Sequence, residues 1–278
     1  MDIRRIIKGV IEDANVSFEQ VNGGFDSSVW KVETATRKKL ALRIVTADRY
    51  EDFLMEKEII DFAASQMIPA PAVRTVKIVD DLAVMVSDWV SGQTVLEELI
   101  SNPEQAFSIG EEFGRVQAKI HNLRKADTLI QIPGNWLKPA TDEEKDVFEK
   151  IDTLTKEDTK TLLHLDYHPL NVMMEIGKIT AVLDWVNAGF GDPRLDVART
   201  YSILQFEQLR QTSPFEELKP TLQEFEKGWL KGYTEIAGEL KSIELFHKWA
   251  GIRHARDLGD RITEEDRVKL HEWSVSWR

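Results

Sequence analysis

An α+β fold in two lobes is what this sequence predicts: a small antiparallel sheet carrying one long helix over residues 1–90, then a larger, mainly helical lobe over 91–278. Three observations lead there. The length, 278 residues, exceeds the roughly 100–150 residues that one hydrophobic core commonly serves. Apolar residues alternate with polar ones early and recur with helical spacing later, the pattern changing near Ser91. A composition of 42% apolar and 30% charged residues, with 15 Gly and 9 Pro, belongs to a folded chain, neither disordered nor fibrous.

In order along the first lobe, strands are expected at 16–21, 28–32 (SVWKV) and 40–45 (LALRIV), the last two joined by the polar turn TATRKK. A helix follows over 50–66, with Phe53, Leu54, Ile59, Ile60 and Ala63 or Ala64 on helical spacing, and it stops before Pro69 and Pro71. Strands at 72–78 and 82–89 complete the lobe, and Ser91-Gly92 punctuates it. Helical patterns then cover 94–124, 195–209, 215–236 and 243–255, around a strand-rich island at 162–186. Thr141 and Thr263 are the expected caps of helices opening on the acidic runs that follow them. Repeats and low-complexity segments are absent.

Composition narrows the chemistry. With no cysteine, disulfides, thiolate zinc sites and cysteine nucleophiles are excluded. The start MDIRRIIKGVIEDAN lacks a signal-peptide core, and no apolar run approaches the roughly 18 residues of a membrane span. A cytoplasmic protein without a membrane partner is the expectation. The net charge of −12 repels phosphate backbones, which disfavours nucleic acid and weakly favours a cationic small molecule.

Polar residues concentrate in the strand-rich island. Apolar residues lead into His164, Asp166 and Asn171, spaced His-x-Asp-x-x-x-x-Asn, and a second apolar run ends at Asp184, thirteen residues after Asn171. This is the spacing of the protein-kinase catalytic loop. Phosphoryl transfer requires an Asp to orient and deprotonate a hydroxyl, and an amide oxygen with a second carboxylate to hold magnesium on ATP phosphates. Asp166, Asn171 and Asp184 fit those three parts. Upstream, LALR places Arg43 where a kinase carries its strand lysine, and Glu56 stands thirteen residues later on the following helix. NGGFDSS at 22–28 joins two strands as a phosphate-covering loop would, and an ordinary hairpin turn is the alternative. His168 reads as a structural turn residue, His121 and His247 as partly exposed or satisfied core histidines, and the tryptophans mostly as core.

With those motifs in place, the sequence resembles the aminoglycoside phosphotransferase and choline kinase family, small-molecule kinases with a protein-kinase-like fold. The resemblance covers nearly the whole chain. HLDYHPLN is similar to the family's H-G-D-x-H-P-x-N, and VLDWVNAGFGDPRLDVA to its I-D-W-x-x-A-x-x-G-D-P-x-x-D-L-A; GGFDSSVWKV, IPAPAV and GRVQAKIHNL match its first hairpin, its G-V-P-V-P stretch and its L-A-x-L-H helix. A protein kinase is disfavoured because Asp184 is followed by Trp185, and Gly191-Asp192-Pro193 leaves no room for an activation segment.

The resemblance implies ATP and Mg²⁺ in a cleft between the lobes, with Asp166 as catalytic base and Asn171 and Asp184 as magnesium ligands. It also implies phosphate binding by Arg43, braced by Glu56, a covering loop with Gly24, Ser27 and Ser28, and adenine contacts from the backbone of Ser87 and Trp89. His164 is implied to support the catalytic loop, with Asp192 and Asp196 tying it to the next helix. Arginine at position 43 departs from the protein-kinase lysine, but a guanidinium can hold phosphate and carboxylate in two-pronged fashion. The acceptor implied is a small-molecule hydroxyl, most readily that of an aminoglycoside. Choline, ethanolamine, homoserine and sugar-type metabolites stay open, as does a catalytically inactive nucleotide-binding regulator. After residue 90 there are 24 basic and 33 acidic residues, which weakly suits a cationic acceptor.

Overall fold

Strand alternation in the first part of the chain becomes β1 (Ser17–Val21), β2 (Ser28–Glu33), β3 (Lys39–Thr46), β4 (Val73–Val79) and β5 (Leu82–Asp88), paired antiparallel in the order β1-β2-β3-β5-β4. Successive β3 side chains point to opposite faces. Leu40, Leu42 and Ile44 join Val32, Val84 and Val86 in a buried layer that receives Ile6 and Ile7 of α1 (Ile3–Val10). That helix adds to the sequence expectation, whose first element begins at residue 16. Asp2 supplies its start, its carboxylate accepting the N–H groups of Arg4 and Arg5. On the other face of β3, Arg43 reaches Glu56 of α2 (Tyr50–Ser65). The computed structural model describes residues 2–13, 15–21, 27–124, 137–155, 160–210 and 216–277. The chain falls into two compact units, Met1–Ser91 and Gly92–Arg278.

The second unit opens with β6 (Gln93–Thr94) and α3 (Val95–Ser101), where Thr94 and Glu97 cap each other reciprocally. The continuous helix expected over 94–124 is instead two: α3 ends at Asn102, and α4 (Ala106–Ile120) follows a single turn of 3₁₀ helix begun by Pro103. Proline cannot donate a backbone hydrogen bond, and it drives the residue before it out of helical geometry; Asn102 sits at φ −136°, ψ 59°. Beyond these lie α5 (Asp142–Leu154), β7 (Thr161–Leu163), β8 (Val172–Glu175), β9 (Lys178–Val182), β10 (Gly189–Gly191), α6 (Pro193–Leu209), α7 (Lys219–Ala237), α8 (Glu244–Leu258) and α9 (Glu264–Ser276). Thr141 and Thr263 cap α5 and α9 through their side chains.

Two packing features hold this unit together. Leu163 and Leu165 enter a buried cluster with Val147 and Ile151 of α5, Leu195 and Ala198 of α6, and Phe246, Trp249 and Ala250 of α8. Helices α4 and α7 approach backbone to backbone through glycines, since a Cβ placed on Gly114 would meet the Trp229 carbonyl oxygen at 2.1 Å and one on Gly232 the Glu111 oxygen at 2.0 Å. The tryptophans divide: Trp229 and Trp249 are core, whereas Trp273 and Trp277 pack around Tyr201 and His247. Among the described residues no helix is long and apolar enough to cross a membrane.

Gly232→Ala is therefore expected to destabilise the protein by about 2 kcal/mol or more, because the new methyl meets backbone that cannot rotate away. Urea denaturation against wild type measures it, and an unchanged midpoint would show that α4 and α7 can part at little cost.

Candidate active site

Strand β7 is buried along its length and delivers the chain to a loop over 164–171, after which β8 and β9 form a hairpin with Val172 opposite Val182. The Leu183 N–H donates to the Asn171 carbonyl at 2.8 Å, extending the pairing by one residue. Asn171 and Asp184 consequently stand at the same open end of the hairpin. Asp184 occupies the left-handed region at φ 60°, which Asp tolerates better than most residues. The turn after it is pinned by Trp185, fully buried, whose indole N–H donates to the Val182 carbonyl at 2.9 Å.

Asn171 also reaches across the loop. Its Nδ2 donates to the backbone oxygen of Asp166 at 3.1 Å and to Asp166 Oδ2 at 3.0 Å. With the amide nitrogen so used, Oδ1 is the acceptor that the Asn171 side chain has to offer a ligand. His168 belongs to the same cluster, Nε2 lying 3.1 Å from Asn171 Nδ2 and 3.6 Å from Asp166 Oδ2, while its Nδ1 accepts the Leu170 N–H at 3.3 Å. The turn residue of the sequence reading thus touches both polar members of the loop. Burial raises the Asp166 carboxyl, but the hydrogen bond and charge of His168, with the Arg199 guanidinium behind it, hold it well below the usual carboxylate range.

The donor set suits one kind of metal. Among the described residues no group of three His, Cys, Asp or Glu could grip an ion unaided. Magnesium keeps several waters and takes one or two protein oxygens plus phosphate oxygens, so an amide oxygen and a carboxylate at one hairpin end match it.

The loop is held from beneath. Leu165, just before Asp166, sits at φ 64°, a conformation that costs a leucine of order 1–3 kcal/mol. Buried Asp196 on α6 opposes that strain: it accepts the Leu165 N–H at 2.7 Å, the His164 N–H at 3.1 Å and His121 Nε2 at 2.8 Å. His121 Nδ1 is 2.8 Å from the Tyr233 hydroxyl. Burial raises the Asp196 carboxyl, yet His121 and His164 together hold it below its ordinary value. His164 joins the two halves of the cluster, Nε2 donating to the Leu183 carbonyl at 2.9 Å and Nδ1 accepting the Asp166 N–H at 3.3 Å. Its burial lowers the imidazole pKa and keeps the ring neutral. Asp192 is spent otherwise, capping α6 through the Arg194 N–H and pairing with the Arg194 guanidinium at 2.6 Å. It makes no hydrogen bond to loop 164–171 among the described residues, so Asp196 alone of the two aspartates grips that loop.

In the first unit, Arg43 on β3 meets Glu56 at 2.5 Å, with the glutamate side chain wholly buried and the guanidinium lying 5.3 Å over the Phe53 ring. Gly24 lies outside the described residues. Ser27 is half-buried, and the Ser28 hydroxyl accepts the Trp30 indole N–H at 3.0 Å. Ser87 is buried on β5 opposite Ala41. The Trp89 N–H donates to the Lys39 carbonyl at 3.1 Å, so that N–H is already engaged within the sheet.

Sheet, helices and loop together define a kinase-like phosphotransferase fold. Residues 17–238 match the model of the phosphotransferase enzyme family, and the chain belongs to that family. No curated protein matches it. Among solved structures it is similar to the aminoglycoside phosphotransferase APH(4)-Ia, at 16% identity and TM-score 0.66 over 99% of this chain and 97% of that one. A mutant of that enzyme has been crystallised with AMP-PNP and hygromycin B. Similar too are macrolide 2'-phosphotransferase MphH from Brachybacterium faecium, at 15% identity and TM-score 0.59 over 98% and 97%, and a Plasmodium vivax ethanolamine kinase, at 14% and 0.61 over 99% and 83%.

Sequence reasoning missed the buttress of His121 and Tyr233, because a helical histidine gives no sign of a partner 75 residues away. Asp196→Asn should cost about 3 kcal/mol, since the carboxamide turns a donor toward a backbone N–H and removes the charge facing His121; thermal denaturation measures it, and a wild-type midpoint would dismiss the buttress. Burial also lowers the pKa of His254 and brings that of His247 to about 4. With folded pKa values below the unfolded value of about 6.5, the unfolded chain binds the extra protons. Stability should therefore fall as pH drops from about 6.5 toward 4, and His247→Gln should flatten the decline in urea midpoints between pH 7.5 and 5.

Proposed function

We propose that the chain transfers the γ-phosphoryl group of ATP to a hydroxyl of a small molecule, most readily an aminoglycoside-like polyhydroxylated amine. The observation that carries this reading is the gathering of Asp166 and Asn171 with Asp184 at one hairpin end, on a loop whose backbone is fixed by Asp196. The nucleotide and acceptor found with APH(4)-Ia support the same class, and the acidic balance after residue 90 suits an ammonium-bearing acceptor.

Asp166 Oδ2 is occupied by the Asn171 amide, which leaves Oδ1 to accept the hydrogen of the incoming hydroxyl and aim its lone pair. A carboxylate held below the ordinary range is a weak base, so it orients first and takes the proton as the oxygen–phosphorus bond forms and the bond to the β-phosphate oxygen breaks. That order suits a loose transition state. Asn171 Oδ1 and Asp184 would hold magnesium, which when bound with the nucleotide neutralises charge on the phosphate oxygens. Arg43 binds phosphate oxygens, and buried Glu56 fixes its direction. A cytoplasmic setting, where ATP is supplied, goes with this reading.

ADP release from Mg-ATP against hygromycin B, other aminoglycosides, a macrolide, choline, ethanolamine and homoserine tests the proposal. One acceptor should give turnover that Asp166→Ala lowers by about 10²–10⁴-fold, while Arg43→Ala should act mainly by raising KM for ATP, by about ten-fold. With Asp166 ionised well below the usual carboxylate range, its protonation should cut activity only below about pH 4. Mg-ATP binding without turnover on any acceptor would favour a nucleotide-binding regulator instead.

A further inference from the structure

We propose that Thr200 is a positioning residue for Asp166, acting through the carbonyl of Tyr167, with Gln117 and Trp229 holding Thr200 in place; this rests on the phosphotransfer reading above. The geometry is a directional chain. The Trp229 indole N–H donates to Gln117 Oε1 at 2.7 Å, Gln117 Nε2 donates to Thr200 Oγ1 at 3.0 Å, and the Thr200 hydroxyl donates to the Tyr167 carbonyl at 2.8 Å. All four side chains are fully buried, and each group in the chain finds a partner of the right polarity. A buried amide and hydroxyl are costly unless satisfied in this way.

The chain ends where it can steer the reacting carboxylate. Tyr167 follows Asp166 directly, and its phenol is fixed as well, donating to the Phe113 carbonyl at 2.9 Å. Upstream, Asp196 grips the peptide N–H groups of His164 and Leu165. Asp196 and Thr200 are one turn apart on α6, so a single helix face clamps the backbone on both sides of Asp166. The relay adds α7, through Trp229, and α4, through Gln117, the two helices locked together by close glycine contacts. Loss of the Thr200 hydroxyl would free the downstream side of that clamp and let the carboxylate swing, and displacements of about 1 Å can cost on the order of 10²-fold in rate.

Thr200→Val keeps shape and removes the hydroxyl, Thr200→Ser restores it, and Gln117→Leu cuts the chain one link earlier. Two readouts apply to the full chain: amide hydrogen exchange across residues 164–171, which needs no acceptor, and ADP release from Mg-ATP with water as acceptor. Thr200→Val should speed exchange at 167–171 and lower kcat, each by roughly ten-fold or more, with KM for ATP within about two-fold of wild type. Thr200→Ser should return both toward wild type, and Gln117→Leu should fall between. Unchanged exchange in the loop, or exchange quickened evenly throughout the second unit, would overturn the proposal as no more than packing. If Thr200→Val does not fold, the order of Thr200→Ser and Gln117→Leu decides. Should Asp166→Ala keep its ADP release, the phosphotransfer reading fails, and the exchange data still judge the relay.

Discussion

The buried carboxylate of Asp196 is the interaction on which the catalytic loop depends. An isolated anion in a protein interior is strongly unfavourable, and this one is tolerated because two backbone N–H groups and an imidazole converge on it. The same bonds fix the direction of the chain just before Asp166. Remove the charge, and the left-handed turn at Leu165 loses what opposes its strain; remove the turn, and the carboxylate loses its donors. Each half of the arrangement makes the other affordable in free energy, which is why sequence positions 121, 164–165, 196 and 233 have to be read together.

Charge is arranged to match. The Asp166 carboxyl is driven down by the hydrogen bond and charge of His168 and by the Arg199 guanidinium against its own burial, while burial keeps His164 neutral. A neutral His164 can accept the Asp166 N–H and donate to the Leu183 carbonyl in a single tautomer. A protonated ring would have no acceptor nitrogen left for that N–H. The low Asp166 pKa and the neutral His164 are thus two consequences of one packed cluster, and both favour a carboxylate that orients over one that pulls protons strongly.

Strands and most helices were legible in the sequence, because period-two and period-3.6 patterns report burial locally. The pairing of Arg43 with Glu56 was legible too, since the two stand where a kinase carries its strand lysine and the glutamate of the following helix. What stayed hidden was set by tertiary contacts. Helix α1 is short and charged, and only the sheet surface offered to Ile6 and Ile7 makes it worthwhile. The break at Pro103 was readable from the residue itself, but a helical pattern on both sides masked it. Asp192 and Asp196 look equivalent in sequence; their four-residue offset puts one at the start of α6, where Arg194 claims it, and the other beneath the loop.

Leu165 shows how a departure from a family pattern can be informative. HLD stands where the pattern has H-G-D, and the backbone keeps the φ that glycine would adopt freely. A leucine here carries strain, and its side chain is buried with residues of α5, α6 and α8. Burying a leucine contributes roughly 1.5–3 kcal/mol, enough to offset a left-handed turn costing of order 1–3 kcal/mol. Glycine would relieve the strain and forfeit the contact. With leucine, the residue before Asp166 is tied to the same apolar cluster as α5 and α8, so packed side chains as well as the α6 clamp fix the backbone that carries the carboxylate.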